Sequence, residues 1–101
     1  MRTAILTMHG IDAGMLISQD KSYQFTYFPN YSGEPLSLTL PVRSEPYYFA
    51  QFPPFLDGLL PEGSALEALL RKAKLDRDDY FGQLVRVGQD LVGAITCREY
   101  S

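Results

Sequence analysis

This chain of 101 residues holds one cysteine, Cys97, and one histidine, His9. A single cysteine excludes an intrachain disulfide and fits a reducing compartment. With no second His or Cys at ligand spacing, no metal site is expected. No apolar stretch reaches the length of a membrane span. Met1-Arg2 and the short apolar run after it read as the start of a strand, not as a signal peptide, so a cytoplasmic setting is expected. Positive charge is scarce as well: nine Lys and Arg, scattered along the chain, stand against twelve Asp and Glu, for a net charge of −3. Direct binding to nucleic acid calls for a basic patch that this chain does not supply, and its acidity is too mild for a DNA mimic. Neither G-x-x-x-x-G-K-[ST] nor G-x-G-x-x-G occurs, so no phosphate cradle is visible. No cofactor is expected, and the chain is expected not to be an enzyme.

What is present is a globular composition, 46% hydrophobic and 13% aromatic, in a length that suits one domain over residues 1–101. A domain of this size buries somewhat over about 60% of the surface its unfolded chain exposes. Residues 3–8 and 15–18 read as the strands of a hairpin around a turn at residues 9–14. Tyr23, Phe25 and Tyr27 alternate with Gln24 and Thr26, the period of a half-buried strand. Leu36, Leu38 and Leu40 alternate in the same way and predict a fourth strand. A proline-rich crossover follows, with a helical turn from Pro54 that ends at Leu60-Pro61-Glu62-Gly63. Ser64-Ala65-Leu66-Glu67 matches a capping box and predicts the start of a helix. Asp76 or Asp78 is expected to cap the next helix, Gly88 to stop it, and residues 91–97 to form the last strand. The order implies an α+β domain. A small, mainly antiparallel sheet of about five strands carries two to three helices packed on one side, with Leu66, Leu69, Leu70, Phe81 and Leu84 facing the sheet.

Several residues admit both a chemical and a structural reading. His9, beside Gly10, reads as a turn residue, since one histidine builds neither a metal site nor a base with a partner. Cys97 has no visible activating group and reads as a small strand residue. Asp76, Asp78 and Asp79 sit where helix starts want acids. The aromatics Tyr47, Tyr48, Phe49, Phe52 and Phe55 read as core, with one or two at an edge where they could anchor a partner. The stiff segment around Pro61 and Gly63, leading into a capped helix, is either a rigid crossover or a recognition loop, since a pre-ordered loop loses little entropy on docking.

Phe55, Leu59, Leu60, Pro61, Glu62 and Gly63 spell F-x-x-x-L-L-P-E-G. Leu84, Val87, Gly88, Asp90, Gly93 and Ala94 spell L-x-x-V-G-x-D-x-x-G-A. With the G-E-P-L step at residues 33–36, these motifs resemble the first N-terminal subdomain of HipA-type serine/threonine kinases. Within that group the chain resembles the stand-alone HipS antitoxins of three-component HipBST toxin–antitoxin systems. The resemblance implies a non-enzymatic protein that binds and neutralises a HipT-like serine/threonine kinase toxin lacking this subdomain. It also implies a HipB-like helix-turn-helix protein within the same complex. The Met1 start and the end at Ser101 fit a complete small protein. An interaction or scaffold module of an intact HipA-like kinase is the other reading. The residues expected to meet the kinase are Leu60, Pro61, Glu62, Gly63, Ser64, Ala65 and Leu66, with Ser64 either a helix cap or a phosphate acceptor.

Overall fold

His9 and Gly10 take φ of 53° and 82°, the twist that a two-residue hairpin turn requires. The chain therefore reverses at once between β1 (Arg2–Met8) and β2 (Ile11–Gln19), and the turn is shorter than the sequence suggests. Asp20, at φ 57°, starts a second tight turn into β3 (Ser22–Tyr27). The computed structural model describes residues 1–91 and 93–100; Val92, inside the expected last strand, and Ser101 lie outside the described residues. β4 (Tyr47–Phe49) and β5 (Ile95–Tyr100) complete an antiparallel sheet in the order β4-β3-β2-β1-β5. The helices are α1 (Pro54–Asp57), α2 (Gly63–Ala73) and α3 (Tyr80–Val87), the last continued by a 3-10 turn at Gly88–Asp90. Among the described residues, five antiparallel strands and three helices make the α+β domain that the sequence predicts.

The register puts Tyr47 beside Phe25, Phe25 beside Leu16, and Leu16 beside Ala4, one continuous row across four strands. Side chains two residues apart share a face, so Leu6 and Met8 join this row, and Cys97 extends it onto β5. Leu56 of α1 and Phe81 and Leu84 of α3 close over it; all of these residues are buried in one cluster except Tyr47, which is half-buried against it. The alternate residues of these strands point to the opposite face. There Ile5 lies beside Met15 and Arg98, and Arg98 grips Asp12 through two bonds of 2.8 Å.

Residues 36–40 do not form a strand. Leu36 and Leu40 are buried while Leu38 between them is 98% exposed, because the Leu40 amide turns back to the Ser37 carbonyl at 3.0 Å. The hydroxyl of Tyr27 organises this segment: it donates to the Leu40 carbonyl at 2.6 Å and accepts from the Leu36 amide at 2.9 Å. The fourth strand is instead the tyrosine-rich segment Tyr47–Phe49. A 3-10 turn occupies Gly88–Asp90, and the last strand runs from Ile95 to Tyr100, later at both ends than the expected residues 91–97. A Cβ at Gly88 would lie 2.0 Å from the Cys97 carbonyl oxygen. Only glycine lets that turn press against β5.

Candidate functional site

The F-x-x-x-L-L-P-E-G motif divides into an anchored part and a free part. Phe55 packs edge-on against Phe25, ring centroids 6.0 Å apart, and Leu59 and Leu60 sit half-buried against the core. The amides of Leu59 and Leu60 turn back to the carbonyls of Leu56 and Asp57 at 3.0 and 3.2 Å. These bonds end α1 and aim the chain outward. Pro61 is half-buried, Glu62, Gly63, Ser64 and Ala65 are exposed, and Leu66 is half-buried again. Gly63 takes φ +59° with open space around it. Its role is conformational, a left-handed residue at the mouth of α2.

The expected capping box does not form. Glu62 occupies the N-cap in extended geometry with no side-chain bond to the helix. The Glu67 carboxylate pairs with Arg77 on the segment between α2 and α3, so it does not reach back to Ser64. The positive φ at Gly63 displaces the helix start, which puts Ser64 inside the first turn, where its hydroxyl has no capping geometry. Ser64 and Ala65 therefore project without a role in closing the helix. At the next helix Asp79, and neither Asp76 nor Asp78, serves as the cap, accepting from the Gly82 amide at 3.0 Å. Asp79 also holds Arg2 at 2.9 Å.

α2 is the unusual element. Leu66, Leu69, Leu70 and Ala73 fall at helical spacing on one stripe, yet no residue of the helix is buried. None of them belongs to the core cluster or to the apolar residues packed against it. The helix rests chiefly on α3. The expectation that Leu66, Leu69 and Leu70 face the sheet is thus corrected: Phe81 and Leu84 do that work from α3. Charge on α2 is graded, with Arg71 and Lys72 in the last turn, where a helix dipole favours cations. Beside the loop, a groove of about 390 Å³ opens between Leu59, Pro61, Val87 and Leu91. The groove meets the loop at Leu59 and Pro61, and no residue of α2 lines it.

The other residues considered from sequence have structural places. His9 is exposed in its turn, with Nε2 3.5 Å from Glu34. Cys97 is buried, and burial pushes its thiol up to about 12, which holds it protonated and unreactive near neutral pH. Phe49, Phe52 and Phe55 are half-buried, while Tyr48 is 74% exposed. Among the described residues no cluster of three or more His, Cys, Asp or Glu side chains has the spacing of a metal site. None of the helices described is long and apolar enough to cross a membrane. The stripe's freedom from the core was not visible in the sequence, since an amphipathic helix that covers a sheet and one that awaits a partner share one pattern.

The family model of the HipA N-terminal domain matches residues 4–98. An "Uncharacterized protein" of Haemophilus influenzae is 28% identical over 99 residues, which span 98% of this chain and 93% of that protein. The "Putative kinase Y4mE" of Sinorhizobium fredii is 38% identical over 61 residues, 60% of this chain but 14% of that protein. A solved structure, "N-terminal domain of HipA toxin", superposes with a TM-score of 0.81 at 27% identity and covers all of this chain and 94% of its own.

Proposed function

We propose, since this chain belongs to the HipA N-terminal domain family, that it is a non-catalytic antitoxin that binds and neutralises a HipT-like serine/threonine kinase. The kinase is one that lacks its own copy of this domain, and a HipB-like helix-turn-helix protein joins the same complex in the cytoplasm. The observation that carries the reading is α2: a leucine stripe with no buried residue, set beside an exposed, sharply turned loop. The core is closed by α1 and α3 without it. An amphipathic helix left half-solvated on a small domain suits a groove on a partner. Residues 60–66 supply the approach: Leu60 and Pro61 fix the path, and Glu62, Gly63, Ser64 and Ala65 form the exposed tip. Ser64, freed from capping, is available to the kinase as a phosphate acceptor or a competitor for its acceptor site.

The second reading, a scaffold module of an intact HipA-like kinase, draws support from the Sinorhizobium relative, where the matching segment is a small fraction of a much longer chain. Both readings use the same surface, in trans or in cis. Co-expression separates them. The chain should relieve growth arrest by a HipT-like kinase supplied on a separate gene, and Ala65→Arg at equal abundance should relieve it less. Normal relief by folded Ala65→Arg, Ser64→Glu and Glu62→Lys variants would reduce the loop to a crossover. Purified chain with labelled ATP and magnesium should show no phosphorylation or hydrolysis above background; turnover that survives further purification would contradict the non-enzyme reading.

A further inference from the structure

A second groove, sharing no residue with the loop or with α2, lies between the β2–β3 turn, the segment before α1 and the start of α3, with a volume of about 860 Å³. Its floor is a row of rings. Tyr23 meets Phe52 edge-on at 5.4 Å, and Phe52 meets Tyr80 at 5.5 Å and 36°. Tyr80 is 40% exposed, so one end of the row is open. Asp20, Asp57, Asp78 and Asp79 stand around the rings, against Arg2 and Lys21. Asp79 is engaged by Arg2, whereas Asp20, Asp57 and Asp78 form no ion pair among the described residues. The acids are not grouped as metal ligands. They line a trough suited to a long cation.

The groove already shows how it treats such a group. The Arg2 guanidinium lies 4.7 Å above the Phe81 ring while its Nη1 donates to Asp79 at 2.9 Å. A planar cation is thereby held between a ring face and a carboxylate, the arrangement that favours arginine over lysine. We propose that this groove docks an arginine-bearing segment of a protein partner, with one guanidinium over the Phe52–Tyr80 rings and paired to Asp57 or Asp78. Charge complementarity selects the occupant: four carboxylates against Arg2 and Lys21 leave the groove net negative, which attracts a cationic segment and repels acidic peptides or nucleic acid.

The test is a titration of the ¹⁵N-labelled chain with a short Gly/Arg peptide, and with its twin in which citrulline replaces each arginine, keeping shape and losing charge. The proposal expects amide shifts confined to the groove, around residues 20, 50–52, 57 and 78–81, and none with the citrulline peptide. Asp57→Asn with Asp78→Asn should weaken binding about tenfold, and Tyr80→Ala by a similar factor. The exposed positions of both aspartates leave the fold unchanged, which the spectra report directly. No shifts, equal shifts with citrulline, or shifts spread over Glu45, Glu62 and Glu99 as well would overturn it. Because no kinase is present, the outcome does not depend on the antitoxin reading.

Discussion

At the scale of the residue, the most consequential polar atom is the hydroxyl of Tyr27. It serves a buried carbonyl and a buried amide at once, and its ring stacks on Tyr31 at 5.7 Å. Tyr27→Phe keeps the ring and orphans both backbone groups, each worth about 1–3 kcal/mol when left unsatisfied. Urea unfolding should show that loss, with exposure of residues 36–40 to protease before the sheet opens; an unchanged midpoint would mean that the segment is held by Leu36 and Leu40 alone. Cys97 sets the alkaline behaviour. Its thiol ordinarily titrates near 9 and burial raises it to about 12 in the fold. Between those values the folded state keeps a proton that the unfolded chain has lost. Its stability contribution is therefore whole below about pH 9 and declines as pH rises, by roughly 1 kcal/mol per unit. Burial raises Tyr23, Tyr27 and Tyr31 in the same direction. Stability measured at about pH 8 and pH 10 should fall less in Cys97→Ala than in the parent chain. At the acid end the Arg98 bond holds Asp12 below its usual range. That contribution is present above the usual carboxylate range and fades as pH falls through the lowered value, and it is small because the pair is exposed.

At the scale of the element, α2 and α3 have nearly the same apolar spacing and opposite fates. Leu84 on α3 is fully buried in the core, so Leu84→Ala should cost about 2–5 kcal/mol. Leu70 on α2 is half-exposed and outside the core, so Leu70→Asp should shift the melting temperature by only a few degrees. If Leu70→Asp destabilises the domain as much as Leu84→Ala does, α2 belongs to the core after all. This contrast marks how far the sequence could be read. The alternation of Tyr23, Phe25 and Tyr27 reads correctly as a strand because their rings share one face, with Phe25 and Tyr27 in the core and Tyr23 half-buried at its edge. The same alternation at Leu36, Leu38 and Leu40 misleads, since a tertiary bond from Tyr27 turns that segment and no local rule foresees a partner nine or more residues away. The capping box at Ser64 and Glu67 fails for a similar reason: Arg77 takes the glutamate and Gly63 moves the helix start. Of the candidate site, the loop's path was legible in Pro61 and Gly63. The exposure of α2 was not, since periodicity tells which side of a helix is apolar but not what covers it.

At the scale of the whole molecule, the fold is a sheet-and-helix core with α2 lying outside it, chiefly against α3. The family motifs divide between the two parts. L-x-x-V-G-x-D-x-x-G-A is architectural: Gly88 seats the turn on β5, and the Ala94 carbonyl accepts from the His9 amide at 2.9 Å to tie β5 to β1. F-x-x-x-L-L-P-E-G begins half-buried against the core at Phe55 and ends in solvent at Gly63. On the proposed reading, the chain acts by docking to the kinase. The most direct measurement is titration calorimetry of the chain against a HipT-like kinase that lacks this domain, with Leu66→Asp/Leu70→Asp as the comparison. The account predicts one-to-one binding by the parent chain and a loss of at least about a hundredfold in the variant, since two buried unpaired charges cost several kcal/mol at an interface, while its circular dichroism stays native. Equal binding by a natively folded variant would contradict it.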